Sequence, residues 1–301
     1  SMESVSLSQK GDFMKIGIIG GGRLGCCLAD YLHQHDSLIG ITASTKEHSI
    51  ALAEQFQLPV YDNQSLIKDA EVILLTLPDR LLAPVAASLA KSVFLEGKIF
   101  LHCSGSLGIE VLNPLQEQGA HIGSMHPLQS FSGGKTKLTG VYMAVDGDAL
   151  AKETAETLVN FFGGKAFFVP PAERTIYHAA ACICSNYVVA LASVAQQLMA
   201  RWLGDDKSAW DALKPLFCGT ATNLLQTDTL GKALTGPIAR GDASTVQKHL
   251  SILPGKYHPL YSLLGLEAVK LVQTQHNIDD AAIQQLTEIL QKHCGNTKED
   301  K

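Results

Sequence analysis

The pattern of apolar and polar positions changes character near residue 170. Before it, short β-branched or wholly apolar runs alternate with stretches whose apolar residues recur at helical spacing. The strand-like runs are 16–19, 38–42, 71–77, 98–102, 121–124, 141–145 and 166–169. Helical spacing fills 24–33, 46–56 (ending before Pro59), 81–89, 109–118 and 149–162, and a Gly/Lys/Thr loop separates the fifth run from the sixth. The run 71–77 is apolar throughout and closed by Pro78-Asp79, as a parallel strand covered on both faces would be. This alternation predicts an α/β fold with a doubly wound, mainly parallel sheet.

From Glu173 onward the strand signal fades. Residues 176–203 read as one long helix, apolar nearly all round and therefore expected to be buried among helices or in a dimer. A second helical pattern, 209–225, is interrupted at Pro215 and Gly219, and the segment 230–234 leads into the turn Thr235-Gly236-Pro237. Asp242 is placed to cap a helix over 243–253, which Pro254-Gly255 ends. Two more helices are expected over 259–273 and 279–292, before a polar tail at 296–301.

With 46% hydrophobic and 18% charged residues, the 301-residue chain can bury sizeable cores, and its length suggests two domains. A net charge of −5 gives no reason to expect nucleic acid or an anionic membrane as a partner. No apolar run approaches the ~18 residues of a spanning helix, and 1–13 lack the apolar centre of a signal peptide. Seven scattered cysteines without a C-x-x-C pair fit reduced thiols in the cytoplasm and no zinc site.

The first strand runs directly into Gly20-Gly21-Gly22-Arg23-Leu24-Gly25 and a helix. Gly20, Gly22 and Gly25 fit G-x-G-x-x-G in its required strand–turn–helix setting. The first glycine allows the tight turn, the second lets a pyrophosphate approach the backbone, and the third packs helix on strand. The expected contacts from this loop are Gly20, Gly22, Arg23, Leu24 and Gly25. A glycine-rich turn without a nucleotide is the alternative. Where an NAD site usually places an acid, after the second strand, the chain has Thr42-Ala43-Ser44-Thr45-Lys46. Hydroxyls and a lysine suit a 2′-phosphate, so Ser44, Thr45 and Lys46 point to NADP(H); capping of the next helix is compatible with that role. The expected division is a leader (1–13), a dinucleotide-binding domain (14–170) and a helical substrate and dimerisation domain (171–301).

Ligands of such sheets lie beyond the carboxyl ends of the strands. That places Leu77 and Pro78, the His102-Cys103-Ser104-Gly105 loop and the segment from His126 to Phe131 at the cofactor. Ser104 either hydrogen-bonds substrate or carboxamide or merely turns the loop before Gly105. His126 is the acid/base candidate of this domain, or a structural histidine before Pro127. His102 reads as packed. On the long helix His178 and Asn186 lie eight residues apart, roughly on one face with Cys182 between them. Ser185 and Asn186 need polar partners if buried, from a ligand, a carbonyl or a water. Arg240 either clamps a substrate carboxylate or pairs with Asp242.

Several motifs together carry a family resemblance: GIIGGGRLG (17–25), LTLPD (75–79), HCSG (102–105), HPLQSF (126–131), YHAAACICSNYVVAL (177–191) and LTGPIARGD (234–242). The chain resembles the NADP-dependent oxidoreductase-like family that joins a Rossmann-like domain to a C-terminal DUF2520 domain. That family is similar in architecture to pyrroline-5-carboxylate reductase and to the 6-phosphogluconate and β-hydroxyacid dehydrogenases. The resemblance implies an all-α second domain that completes the site in a homodimer. β-Hydroxyacid dehydrogenases commonly carry a catalytic lysine one turn before an asparagine. Here Cys182 stands one turn before Asn186, and no lysine occurs between Arg174 and Arg201. The reading is an NADP(H)-dependent enzyme moving hydride to a small C=O or C=N substrate between the domains. His126 or His178 gives the proton, Ser104 and Asn186 orient the substrate, and Arg240 holds any carboxylate. The competing reading is a non-catalytic NADP(H)-binding sensor.

Overall fold

The computed structural model describes residues 8–9, 12–92, 94–132, 136–275 and 278–295. Most of the expected leader, the centre of the Gly/Lys/Thr loop and the polar tail lie outside them. The described chain forms two compact units, Ser1–Leu191 and Ala192–Lys301.

The first unit is built on seven strands: β1 (Ile16–Ile19), β2 (Leu38–Thr42), β3 (Val72–Leu75), β4 (Ile99–His102), β5 (His121–Pro127), β6 (Tyr142–Gly147) and β7 (Lys165–Phe167). Their order is β2-β1-β3-β4-β5-β6-β7. The first five are parallel, β6 runs antiparallel to β5, and β7 is parallel to β6. The antiparallel step falls where the sequence has a loop and no crossover helix, which is what such a reversal requires.

Alternate strand residues feed two separate cores. Ile16, Ile18, Val72, Leu74, Ile99 and Leu101 pack on one face, under α1 (Arg23–His33), α2 (Lys46–Phe56) and α6 (Ala149–Phe161). Ile19, Ile73, Leu75, Phe100 and Ile122 pack on the other, under α3 (Asn63–Asp69), α4 (Asp79–Leu89) and α5 (Asn113–Gln116). A sheet covered on both faces buries successive side chains, hence the continuous apolar runs. Helix α3 is absent from the sequence reading. Its signal is a capping box in which Asp62 accepts from Ser65 N at 2.8 Å and Ser65 Oγ accepts from Asp62 N at 3.1 Å. The helix expected over 109–118 is a 3-10 turn, Ile109–Leu112, followed by the single turn of α5.

The long helix is α7 (Arg174–Cys184) followed directly by α8 (Asn186–Leu203), with a local distortion at Ser185, whose backbone stays right-handed helical (φ −117, ψ −72). Within the single chain it is largely uncovered: Ile183 and Val189 are 60% and 70% exposed, and Ser185 and Asn186 are exposed too. Of the two expected ways of covering it, packing among the chain's own helices is not the one found. Across Pro171–Leu203 an 18-residue window reaches a mean hydropathy of 1.5 with none of it buried. By length and composition this stretch is apolar enough to cross a membrane, which corrects the expectation that no stretch of the chain approaches that length. His178, Ser185 and Asn186 interrupt the run, and the surrounding Ala, Val and Leu keep the average high.

The second unit is helical, as expected. It contains the rest of α8, then α9 (Asp206–Gln226), α10 (Leu230–Ala233), α11 (Ala243–Ile252), α12 (His258–Gln275) and α13 (Asp280–Gln291). Helix α9 runs unbroken through Pro215 and Gly219. Asp242 caps α11 by accepting from Thr245 N at 3.0 Å. A small core of Ala243, Val246, Leu250, Val269, Leu286 and Leu290 joins α11, α12 and α13.

Candidate functional site

The glycine loop begins where β1 ends. Gly20 has φ +131, and a Cβ there would lie 2.5 Å from the Thr76 carbonyl oxygen. Thr76 Oγ1 in turn donates to the Gly20 carbonyl at 2.7 Å. A Cβ on Gly25 would sit 1.9 Å from that same carbonyl. These two positions therefore exclude any side chain. Gly22 is different: it is exposed, with no atom within 4 Å of a Cβ built on it. It is the N-cap residue of α1 and brings no side-chain cap, so the helix N-terminus opens to solvent between two glycines fixed by packing. This is the chemistry of an anion cradle. Arg23 is exposed beside it and Leu24 packs against the core.

The end of β2 adjoins this loop. A Cβ on Gly21 would meet Ala43 Cβ at 3.2 Å and His48 Cε1 at 3.3 Å. Thr45 caps α2 by accepting from His48 N at 3.2 Å, and Ala43 N donates to Ser49 Oγ at 2.9 Å. Ser44, Thr45 and Lys46 are exposed. These donors, with no carboxylate between Thr42 and Lys46, fit a ribose phosphate. His48 was not among the residues read from sequence; its place is set by the helix turn that follows Thr45.

After β3 comes Leu77-Pro78, with Pro78 exposed as the N-cap of α4. Asp79 Oδ2 accepts from Ser106 Oγ at 2.6 Å, tying this loop to the one after β4. In that second loop His102 is buried, and burial foremost, with the Arg174 charge next, pushes its pKa down to about 4. Its Nδ1 accepts from Ser104 N at 3.1 Å, which leaves Nε2–H to donate to the Gly108 carbonyl at 3.1 Å. His102 is thus a packed, loop-holding residue. Ser104 Oγ accepts from Ser106 N at 3.2 Å and Leu107 N at 3.1 Å, so its oxygen is engaged in the turn. Cys103 is buried, and desolvation pushes its thiol up to about 12, far from a thiolate nucleophile.

The strongest convergence of polar groups lies between β5 and α7. His126 Nδ1 is 2.6 Å from the Tyr177 hydroxyl, their rings edge to face. The His126 and His178 centroids are 6.3 Å apart. Between them lies Gly105, where a Cβ would come within 2.8 Å of His126 Nε2 and 2.9 Å of His178 Cδ2. Burial first, then the neighbouring His178 and Arg174, push the His126 pKa down to about 4. Burial pushes Tyr177 up to about 12. Both groups are therefore uncharged near neutrality.

The structure brings His126 and His178 together as expected, and adds Tyr177, which sequence reasoning passed over. Asn186 is exposed at the start of α8. Arg240 belongs to the second unit, exposed on the turn Ile238–Arg240. Asp242 bonds Thr245 Oγ1 at 2.6 Å and no ion pair joins it to Arg240 among the described residues. No cluster of metal-ligating side chains occurs among the described residues.

The fold is shared with solved proteins. A protein from Thermotoga maritima superimposes with a TM-score of 0.68 at 23% identity, over 87% of this chain and 100% of its own. A pyrroline-5-carboxylate reductase from Streptococcus pyogenes gives 0.56 at 18% identity, over 93% and 98%. A reductive aminase from Aspergillus terreus, solved with NADPH and ethyl levulinate, gives 0.57 at 13% identity, over 93% of each chain. Such identities establish the fold. No curated protein matches the chain. A Rossmann-like domain model matches residues 3–127 and the domain of unknown function DUF2520 matches 141–268. The chain therefore carries a Rossmann-like domain followed by a DUF2520 domain, the combination its motifs implied.

Proposed function

We propose that this protein is an NADP(H)-dependent oxidoreductase acting on a small C=O or C=N compound. The observation that carries this reading is the uncharged His126–Tyr177 pair facing His178 across Gly105, at the same sheet edge as an anion cradle. Strands β1, β3, β4 and β5 are successive neighbours, so the cradle and His126 are separated by three strand spacings, roughly 14 Å. The cofactor, when bound, supplies or accepts the hydride. Gly20, Gly22 and Gly25 with the start of α1 receive its pyrophosphate, and Ser44, Thr45 and Lys46 its 2′-phosphate. Leu77 and Pro78 line the way between the two loops.

With Nδ1 accepting from Tyr177, His126 carries its proton on Nε2. A neutral imidazole donates a hydrogen bond to the oxygen or nitrogen that gains electrons without giving up its proton. His178, on the other side of Gly105, is the group that delivers a proton to a carbonyl substrate. An iminium substrate brings its own. Ser104 shapes the loop that seats Gly105.

The protein works in the cytoplasm as a homodimer. Supporting this are the seven unpaired cysteines and the apolar side chains left in solvent on α7 and α8, with Leu225 on α9 88% exposed. The enzymatic reading is tested by following NADPH oxidation against a panel of keto acids and cyclic imines. Turnover with at least one supports it; tight NADPH binding without turnover on any favours the sensor.

A further inference from the structure

Arg174 is the largest fully buried side chain among the described residues, 1% exposed, and no step above uses it. It opens α7, and Tyr177 and His178 follow at i+3 and i+4, so all three leave the helix on one face. Its Nη1 donates to Ser124 Oγ at 3.0 Å and lies 3.8 Å from Asp146 Oδ2; its Nη2 donates to the Ser104 carbonyl at 3.1 Å. Ser124 and Asp146 face each other across β5 and β6. Ser124 also lies two residues before His126, on the same side of β5. Helix and strand are thus joined by two rungs, Arg174 to Ser124 and Tyr177 to His126. The third bond holds the loop immediately before Gly105.

This arrangement is expensive as a structural filler. Arg174 Nε and Asp146 Oδ2 are buried without hydrogen-bond partners, and the ion pair is long. A buried ion with incomplete partners contributes little stability, and an apolar side chain of similar size would serve packing better. What the guanidinium supplies is three fixed directions from one rigid plane.

We propose that Arg174 is the positioning residue of this site: it fixes the Ser104–Gly105 loop and the first turn of α7 on β5, and so sets His178 and Tyr177 against His126. Its charge has a second effect, disfavouring the protonated form of both His126 and His102. The other groups that bear on His126 are Tyr177 and His178 from α7, His102 from β4 and Asp79 from the start of α4. The consequences for turnover rest on the oxidoreductase reading; those for geometry and ionisation do not.

The test uses the full chain with Arg174→Lys, Arg174→Met and the double variant Arg174→Met/Asp146→Asn, which leaves no orphan carboxylate. Imidazole resonances are titrated by NMR without cofactor or substrate, His126 being assigned from a His126→Asn spectrum. In both neutral variants the His126 midpoint rises toward the ordinary value near 6.5 and the Gly105 amide shifts; in Arg174→Lys the midpoint stays low. With a turned-over substrate, kcat falls about 100-fold in the neutral variants while NADPH affinity holds, the scale expected for a ~1 Å misplacement. An unmoved His126 midpoint and Gly105 amide in a folded neutral variant would overturn the proposal. If neither neutral variant folds, Arg174→Lys decides: kcat and KM both unchanged would overturn it, and a fall in kcat supports it. Absence of turnover in the wild type would sink the enzymatic reading alone, leaving the titration to judge Arg174.

Discussion

Gly105 lies between two imidazoles whose centroids are 6.3 Å apart. Any Cβ there enters the space between His126 Nε2 and His178 Cδ2, and Tyr177 prevents His126 from turning away. Gly105→Ala is therefore expected to reduce kcat by about 100-fold or more through displacement of these rings, with the protein still folded and NADPH still bound. Kinetics beside a thermal melt check this; full turnover in the alanine variant would show that the gap between the rings is not where substrate reacts. His102 makes a different prediction. It titrates near 6.5 when unfolded and near 4 when folded, so the unfolded chain binds more protons throughout that interval. Stability is fully present above about pH 6.5 and falls as pH drops toward 4, by roughly 3 kcal/mol for this one group. His126 acts in the same direction. Urea unfolding at pH 7 and pH 4.5 should show the loss, and His102→Gln should flatten it. Asp62 and Asp211, whose carboxylates are held below the usual range, act only below that interval.

Elements whose signals are local were legible in the sequence. The glycine loop, the caps Thr45 and Asp242, and the strand runs depend on neighbours a few residues away, and the folded chain uses them as read. Tyr177 and Arg174 were not legible because their partners are distant: His126 lies 51 residues from Tyr177, and Ser104 lies 70 from Arg174. The spacing Arg174, Tyr177, His178 does mark one helix face, but only the fold shows what that face meets. The β2–α2 junction carries its own test. Loss of one charge-assisted bond to a 2′-phosphate in Lys46→Ala should weaken NADPH binding by about tenfold while leaving NADH unchanged. Calorimetry with both cofactors measures this, and an equal loss for both would assign Lys46 no part in the preference.

In the molecule as a whole, the pattern of apolar residues predicted both architectures, and it left open whether the long helix is covered within the chain or by a second copy. The sheet unit encloses two cores. Helix α7 leaves Ile176 and Ile183 in solvent, and α8 leaves Tyr187 and Val189 there. A chain with this much exposed apolar helix is expected to sediment as a dimer, and Ile183→Glu with Val189→Glu should convert it to a monomer. A wild-type monomer that floats with liposomes would instead assign the stretch to a lipid surface. The direct measurement of hydride transfer supplies NADPH deuterated at the transferable position, with the panel substrates, to the wild type and to His178→Ala. Mass spectrometry of the products then reports the label. One deuterium in the wild-type product, with its rate of appearance lowered about 100-fold in the variant for a carbonyl substrate, is the predicted result. No label from any substrate, or equal rates in the two proteins on a carbonyl, would contradict the account.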